Sequence, residues 1–245
     1  MVQEPKSQTP CFVYEYMPCA ETKIIARGFS DNDVRIYIFK ILEALDFSHS
    51  HGIMHRDVKP LNIVINQETK DLVLIDWGLA DFYIPDKEYN VRVASRYYKG
   101  PELLVDDKLY HYSLDMWSLG CTMAGMIFKV DTFFKGSDNF DQLVKIIKVL
   151  GEDDLHEYCH KYQLRIPKEV KKAIRDRDYE KVPFTAFINE NNKHMISPEA
   201  LDLLDKMLRY DKNERVTPRE AMKHEYFDPV RDFCLKKKGQ TAEKE

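Results

Sequence analysis

The sequence predicts an α+β fold dominated by helices, with a few short strands at its upstream edge. Three observations carry this. Apolar residues recur at helical spacing through most of the chain, hydroxyl and proline caps punctuate its second half, and every strand-like run lies before residue 76.

Taken in order, Cys11-Phe-Val-Tyr-Glu-Tyr16 is aromatic and branched and predicts one strand, stopped by Met17-Pro18. Ser30 and Asp33 have capping-box spacing. Val34, Tyr37, Ile38, Ile41, Leu42 and Leu45 then recur at helical spacing up to Gly52, predicting a buried helix. Asn62-Ile-Val-Ile65 and Leu72-Val-Leu-Ile75, separated by a polar stretch, predict a hairpin. Ser113 is read as the cap of a helix running to Phe128, and Leu143, Ile146, Ile147 and Leu150 as a helix closed by Gly151. Ser197-Pro198 and Thr217-Pro218, the latter with Glu220, announce two more. The final ten residues from Lys236 have almost nothing apolar to anchor them and read as a frayed, solvated tail, with a nuclear import signal as the alternative. No internal repeat or linker is visible.

With 44% hydrophobic residues in a chain of 245, one large folded domain is expected. A net charge of -4 from 37 basic and 41 acidic side chains gives no global attraction to nucleic acid. The five cysteines include no C-x-x-C pair, which argues against a zinc site or a disulfide framework and for a reducing compartment. The N-terminus lacks a signal-peptide pattern and no stretch has membrane-spanning length, so a soluble intracellular protein, cytoplasmic and nuclear, without nucleic-acid or membrane partners, is expected.

The chemistry concentrates in Ile53-Met-His55-Arg56-Asp57-Val-Lys59-Pro-Leu-Asn62 and, across the hairpin, Leu74-Ile-Asp76-Trp77-Gly78. Phosphoryl transfer needs a carboxylate beside the attacking hydroxyl, a cation near the moving phosphate, and oxygen ligands for magnesium. Asp57, Lys59, Asn62 and Asp76 are those types, and a short hairpin can bring both loops to one point.

H-R-D-V-K-P-L-N resembles the protein-kinase catalytic loop and D-W-G resembles D-F-G. Gly100-Pro101-Glu102 is similar to the end of a kinase activation segment, Asp115-Met-Trp-Ser-Leu-Gly120 to a central large-lobe helix, and Arg215 to the arginine that pairs with Glu102. Within kinases the likeness narrows to the casein kinase II catalytic (alpha) subunit, through D-W-G, the run Asn90 to Leu104 and the run Ser113 to Cys121. It extends from about Pro5 to Phe227 and is loose between Glu157 and Asn192.

The resemblance implies a residual small-lobe strand and hinge over 1–19, the C-terminal kinase lobe over 20–229, a flexible tail over 230–245, and no small lobe. It makes Asp57 the catalytic base, places Lys59 near the transferred phosphate, and has Asn62 and Asp76 hold Mg2+. Tyr14, Glu15 and Met17 would line an adenine hinge with Val64 and Ile75 beneath, ordinary core being the other reading of that aliphatic pair. His55 and Arg56 would brace the loop, with Glu102, Asp115 and Arg215 structural. Arg92, Arg96 and Lys99 would face acidic residues after the acceptor Ser or Thr, a solvated basic face being the alternative. Leu61 departs from the histidine usual beside Asn62.

The implied activity is ATP-dependent serine/threonine phosphorylation in acidic contexts, active without phosphorylation of its own segment. The first glycine is Gly28, so no Gly-rich loop precedes the hinge, and the ATP-binding lysine is missing too. Catalysis, and binding of the casein kinase II regulatory (beta) subunit, are therefore expected of a longer parent, with little or no activity expected from this stretch alone. The alternative is a non-catalytic kinase-like module that binds acidic peptides.

Overall fold

The computed structural model describes residues 2–4, 6–17 and 28–242, with side chains as far as Lys236. The strand stop at Pro18, the boundary at 19/20 and the last three residues lie outside the described residues.

Strands β1 (Val2–Gln3) and β2 (Pro10–Cys11) pair antiparallel, Val2 opposite Cys11. The strand expected from Cys11 to Tyr16 therefore stops where it was to begin. β-Propensity needs a partner, and β1 offers only two residues, so 12–17 runs on unpaired with Phe12, Val13, Tyr14 and Tyr16 exposed.

Helix α1 (Asp31–Ser50) starts as expected. The Ser30 hydroxyl accepts from the Asp33 amide at 3.2 Å, and the Asp33 carboxylate accepts from the Ser30 amide at 3.0 Å. Its predicted apolar stripe is buried. Each such side chain contributes about 1.5–3 kcal/mol on full burial, so this face anchors the fold.

Next, β3 (Ile53–Met54) leads into the catalytic-type loop. The hairpin of β4 (Ile63–Asn66) and β5 (Asp71–Leu74) pairs Ile63 with Leu74, and β6 (Asp81–Phe82) returns antiparallel to β3. Two small sheets thus clamp the loops on either side of the hairpin.

The remaining helices are α2 (Pro101–Leu104), α3 (Ser113–Ile127), α4 (Asn139–Leu150), α5 (Asp153–Lys161), α6 (Lys168–Ile174), α7 (Pro198–Met207), α8 (Pro218–Ala221) and α9 (Arg231–Ala242). Almost every residue of α3 is buried, and it packs against both α1 and α7 in the main core. A smaller cluster of Met54, Tyr89, Val93, Leu103, Tyr110 and Leu114 lies under the segment between the D-W-G loop and α2.

Two expectations change. Ser113 is the first residue of α3 and not its cap, and its hydroxyl is buried without a partner among the described residues. The stretch Lys236–Ala242, expected to fray, continues helix α9, whose Cys234 is buried in the main core ahead of it. Among the described residues, no helix is long and apolar enough to cross a membrane.

Candidate active site

The loop between β3 and β4 folds around Asp57. One carboxylate oxygen accepts from the Ser95 amide at 2.9 Å and its hydroxyl at 3.0 Å; the other accepts from Lys59 Nζ at 2.6 Å and Asn62 Nδ2 at 3.2 Å. Lys59 also donates to the Ser95 hydroxyl at 2.9 Å. A carboxylate this buried is held in orientation by charge-assisted hydrogen bonds, which are shorter and stronger than neutral ones.

The residue before Asp76 is tied to this loop. The Ile75 amide donates to the Asn62 carbonyl at 2.9 Å, and His55 Nε2 contacts the Ile75 carbonyl at 3.1 Å. His55 Nδ1 in turn accepts from the Asp57 amide at 3.2 Å. Those contacts together select the neutral imidazole protonated at Nε2. The Trp77 ring meets the His55 ring edge-on at 4.6 Å, while its Nε1 donates to the Leu74 carbonyl.

Both loops carry a residue with left-handed backbone, Arg56 at φ 66° and Asp76 at φ 62°. Such conformations cost about 1–3 kcal/mol in non-glycine residues and persist where surroundings impose them. For Arg56 the cause is Asp115 on α3, whose carboxylate accepts from the His55 amide at 2.9 Å and the Arg56 amide at 2.8 Å. Burial pushes the Asp115 carboxyl up, but the hydrogen bond and charge of His49, with the hydrogen bond donated by the His55 amide, bring it below its usual value. The Arg56 side chain is consumed internally by the Leu79 carbonyl, the Tyr110 hydroxyl and, at 3.4 Å, Asp81.

Behind this, Arg215 and Glu102 form a fully buried two-pronged pair at 2.6 and 2.8 Å. A Cβ on Gly100 would lie 2.3 Å from the Glu102 carboxylate, so the G-P-E turn requires glycine.

The other predicted residues separate. Val64 and Ile75 stand outside the core, because hairpin alternation buries Ile63, Ile65 and Leu74 instead. Tyr14 and Glu15 are exposed and Met17 partly buried, on the extended segment. Arg92 and Arg96 are exposed, Arg96 donating to the Ser137 carbonyl. Lys99 differs: it is buried, donates to the Val93 carbonyl at 2.6 Å, and burial pushes its ammonium below its ordinary value despite the opposing charge of Asp57. Sequence reasoning missed Ser95, which sits in the quoted run from Asn90 to Leu104 but contacts Asp57 38 residues away.

A sequence model of the protein kinase domain family matches residues 2–227. The chain belongs to the protein kinase family. Kinases are phosphotransferases that use ATP and a divalent metal. The Asn62 amide nitrogen is spent on Asp57, so its oxygen is the atom that could coordinate a metal, and Asp76 carries an exposed carboxylate with no hydrogen bond among the described residues. A Cβ on Gly78 would come within 3.3 Å of that carboxylate. Among the described residues, no cluster of three or more His, Cys, Asp or Glu forms a metal cage. A pair of oxygen ligands suits magnesium, which takes few protein groups and completes its shell with phosphate and water.

Proposed function

We propose that this kinase is of the casein kinase II type, comprising a hinge and the large lobe, and transfers the ATP γ-phosphate to Ser or Thr in acidic contexts. The observation that carries the proposal is the Asp57, Lys59, Asn62 and Ser95 cluster, which presents one carboxylate and one ammonium to the same point.

In this reading Asp57 accepts the proton of the acceptor hydroxyl and orients its oxygen toward the phosphate. Lys59 exchanges part of its contact with Asp57 for the transferring phosphoryl oxygens. Asn62 and Asp76 would hold Mg2+, which when bound bridges and neutralises the nucleotide phosphates. Val64 and Ile75, which stand outside the core, would offer adenine an apolar face, and Tyr14, Glu15 and Met17 would supply the hinge. His55 and Trp77 keep the two loops in register.

Acidic specificity is supported by Arg92 and Arg96, exposed on the segment leading to Gly100. Lys99 contributes through the field around Asp57 and Arg96 rather than as a surface contact, since it is buried. Because the Arg56 guanidinium already has internal partners, no phosphate on the segment is required to neutralise it, which supports activity without prior phosphorylation. The same reading carries a cytoplasmic and nuclear location and, for a longer parent, the casein kinase II regulatory subunit as partner.

The test is transfer of labelled γ-phosphate to an acidic serine peptide, with matched threonine and tyrosine peptides. Asp57→Asn should lower transfer about a hundredfold or more while peptide binding persists. Saturable peptide binding with no transfer by the unmodified protein would establish the binding-module alternative instead.

A further inference from the structure

A cavity of about 450 Å³ lies between the last turn of α1, the first turn of α3 and the segment that leads into α8. It shares no lining residue with the Asp57 cluster. Nearly every polar group in its wall is already engaged. Arg219 meets Asp46 at 3.2 Å, Lys212 meets Asp107, and Arg215 is locked on Glu102. His111 is bonded to Asn213, the Ser50 hydroxyl to the Phe47 carbonyl, and the Thr217 hydroxyl to Glu220. With each charge matched by a counter-charge, the cavity gives an ion no compensation for leaving water.

Three groups are left over. His49 Nδ1 and the Ser113 hydroxyl are buried without a partner among the described residues, the His49 side chain being 9% exposed and Ser113 7%. The Tyr112 hydroxyl makes no hydrogen bond among the described residues, and its ring centre lies 4.9 Å from that of His49. Buried polar groups are almost always bonded, so two orphans on residues of one cavity wall call for a partner. Met116 and Val216 supply apolar surface in the same wall.

We propose that this cavity is a regulatory site for a small neutral molecule with an aromatic body and one hydroxyl group, a phenol being the simplest case. His49 Nε2 bonds to the Asp115 carboxylate, which only accepts, so Nε2 carries a proton and Nδ1 is the free position. A hydroxyl suits Nδ1 in either state of the ring, accepting from an imidazolium and donating to a neutral imidazole. It suits the Ser113 hydroxyl equally. The aromatic body packs on Met116, whose thioether favours ring contacts, and takes the place of the Tyr112 ring beside His49.

Occupancy reaches the catalytic loop through two links. His49 Nε2 and the His55 amide share one oxygen of Asp115, at 2.8 and 2.9 Å, while the Arg56 amide holds the other at 2.8 Å. A ligand that draws on His49 therefore alters the bonds of the two residues preceding Asp57. His49 and Asp115 act here as positioning residues, and the coupling is the difference in ligand affinity between the two loop arrangements.

The test is methyl NMR of the full chain labelled at its methionine methyl carbons and titrated with p-cresol. Toluene, which lacks the hydroxyl, and p-toluate, which carries a charge, are the comparison probes, and Met116→Leu assigns the reporter signal. p-Cresol should shift the Met116 signal saturably, toluene should bind about fivefold more weakly, and p-toluate should leave the signal in place. Ser113→Ala, checked for folding by thermal melting, should weaken p-cresol about fivefold and leave toluene unchanged. Amide hydrogen exchange at His55 and Arg56 should change about threefold or more once p-cresol saturates the site. Shifts that grow linearly to the solubility limit of p-cresol would overturn the site. Equal affinity for toluene and p-cresol, or no effect of Ser113→Ala, would overturn the assignment of the orphan groups as its partners. Saturable binding with exchange at His55 and Arg56 untouched would overturn the link to the catalytic loop.

Discussion

At the residue scale, catalysis depends on how tightly one carboxylate is aimed. Asp57 and Lys59 share the Ser95 hydroxyl, so it fixes their spacing from a segment that the catalytic loop does not contain. Hydrogen bonds to charged groups contribute about 1.5–3 kcal/mol each, so Ser95→Ala should slow phosphate transfer about tenfold to a hundredfold. Its melting temperature should barely move, and Ser95→Thr should retain the rate. Single-turnover transfer measures this, and an unchanged rate would leave the hydroxyl without a role. That Asp57, Lys59 and Asn62 would stand together was legible in the sequence because their spacing is set within one loop. Ser95 and the burial of Lys99 were not, since both arise from contacts between distant segments, and an Arg-x-x-x-Arg-x-x-Lys pattern does not reveal which cation turns inward.

At the element scale, what was legible follows the range of the interaction. The Ser30, Ser197 and Thr217 caps were readable because each hydroxyl reaches an amide three residues on. The hairpin of β4 and β5 was readable because its turn is local, with Asn66 accepting from the Glu68 and Thr69 amides. α3 was misread at its start: a serine stands at the right place, but the first turn is oriented by Asp115, which is called inward by the His55 and Arg56 amides. The two serine and threonine positions therefore respond in opposite ways. Thr217→Ala should cost about 1 kcal/mol and lower the melting temperature by about 2–4 °C. Ser113→Ala should be neutral or stabilising, because it removes a buried hydroxyl that has no partner among the described residues. Calorimetric melting of both variants decides the matter, and equal losses would mean that Ser113 caps α3 after all.

At the scale of the whole molecule, the pattern of charge makes stability depend on pH in two steps. Asp33, Asp115, Asp202 and Asp211 all have folded carboxyls held below their usual range, the last because the hydrogen bonds of Lys161, the Asn213 amide and Tyr162 outweigh burial. A depressed carboxyl contributes stability that is complete above its unfolded value, near 3.8, and is lost as pH falls toward the folded one. His111 adds an earlier step of the same sign. Burial, against the opposing hydrogen bond of Asn213, depresses its imidazole below 6.5, so protonation favours the unfolded chain once pH falls under that value. Urea midpoints should therefore be flat from about pH 8 to 7, decline gently below about 6.5, and drop steeply below about 4. His111→Gln should erase the gentle decline and leave the steep one. Asp211→Asn should lower stability at pH 7, while its difference from the unmodified chain should shrink as pH approaches 3, where Asp211 is itself being protonated. A difference that stayed constant down to pH 3 would show that Asp211 acts through neutral hydrogen bonding and not through its charge.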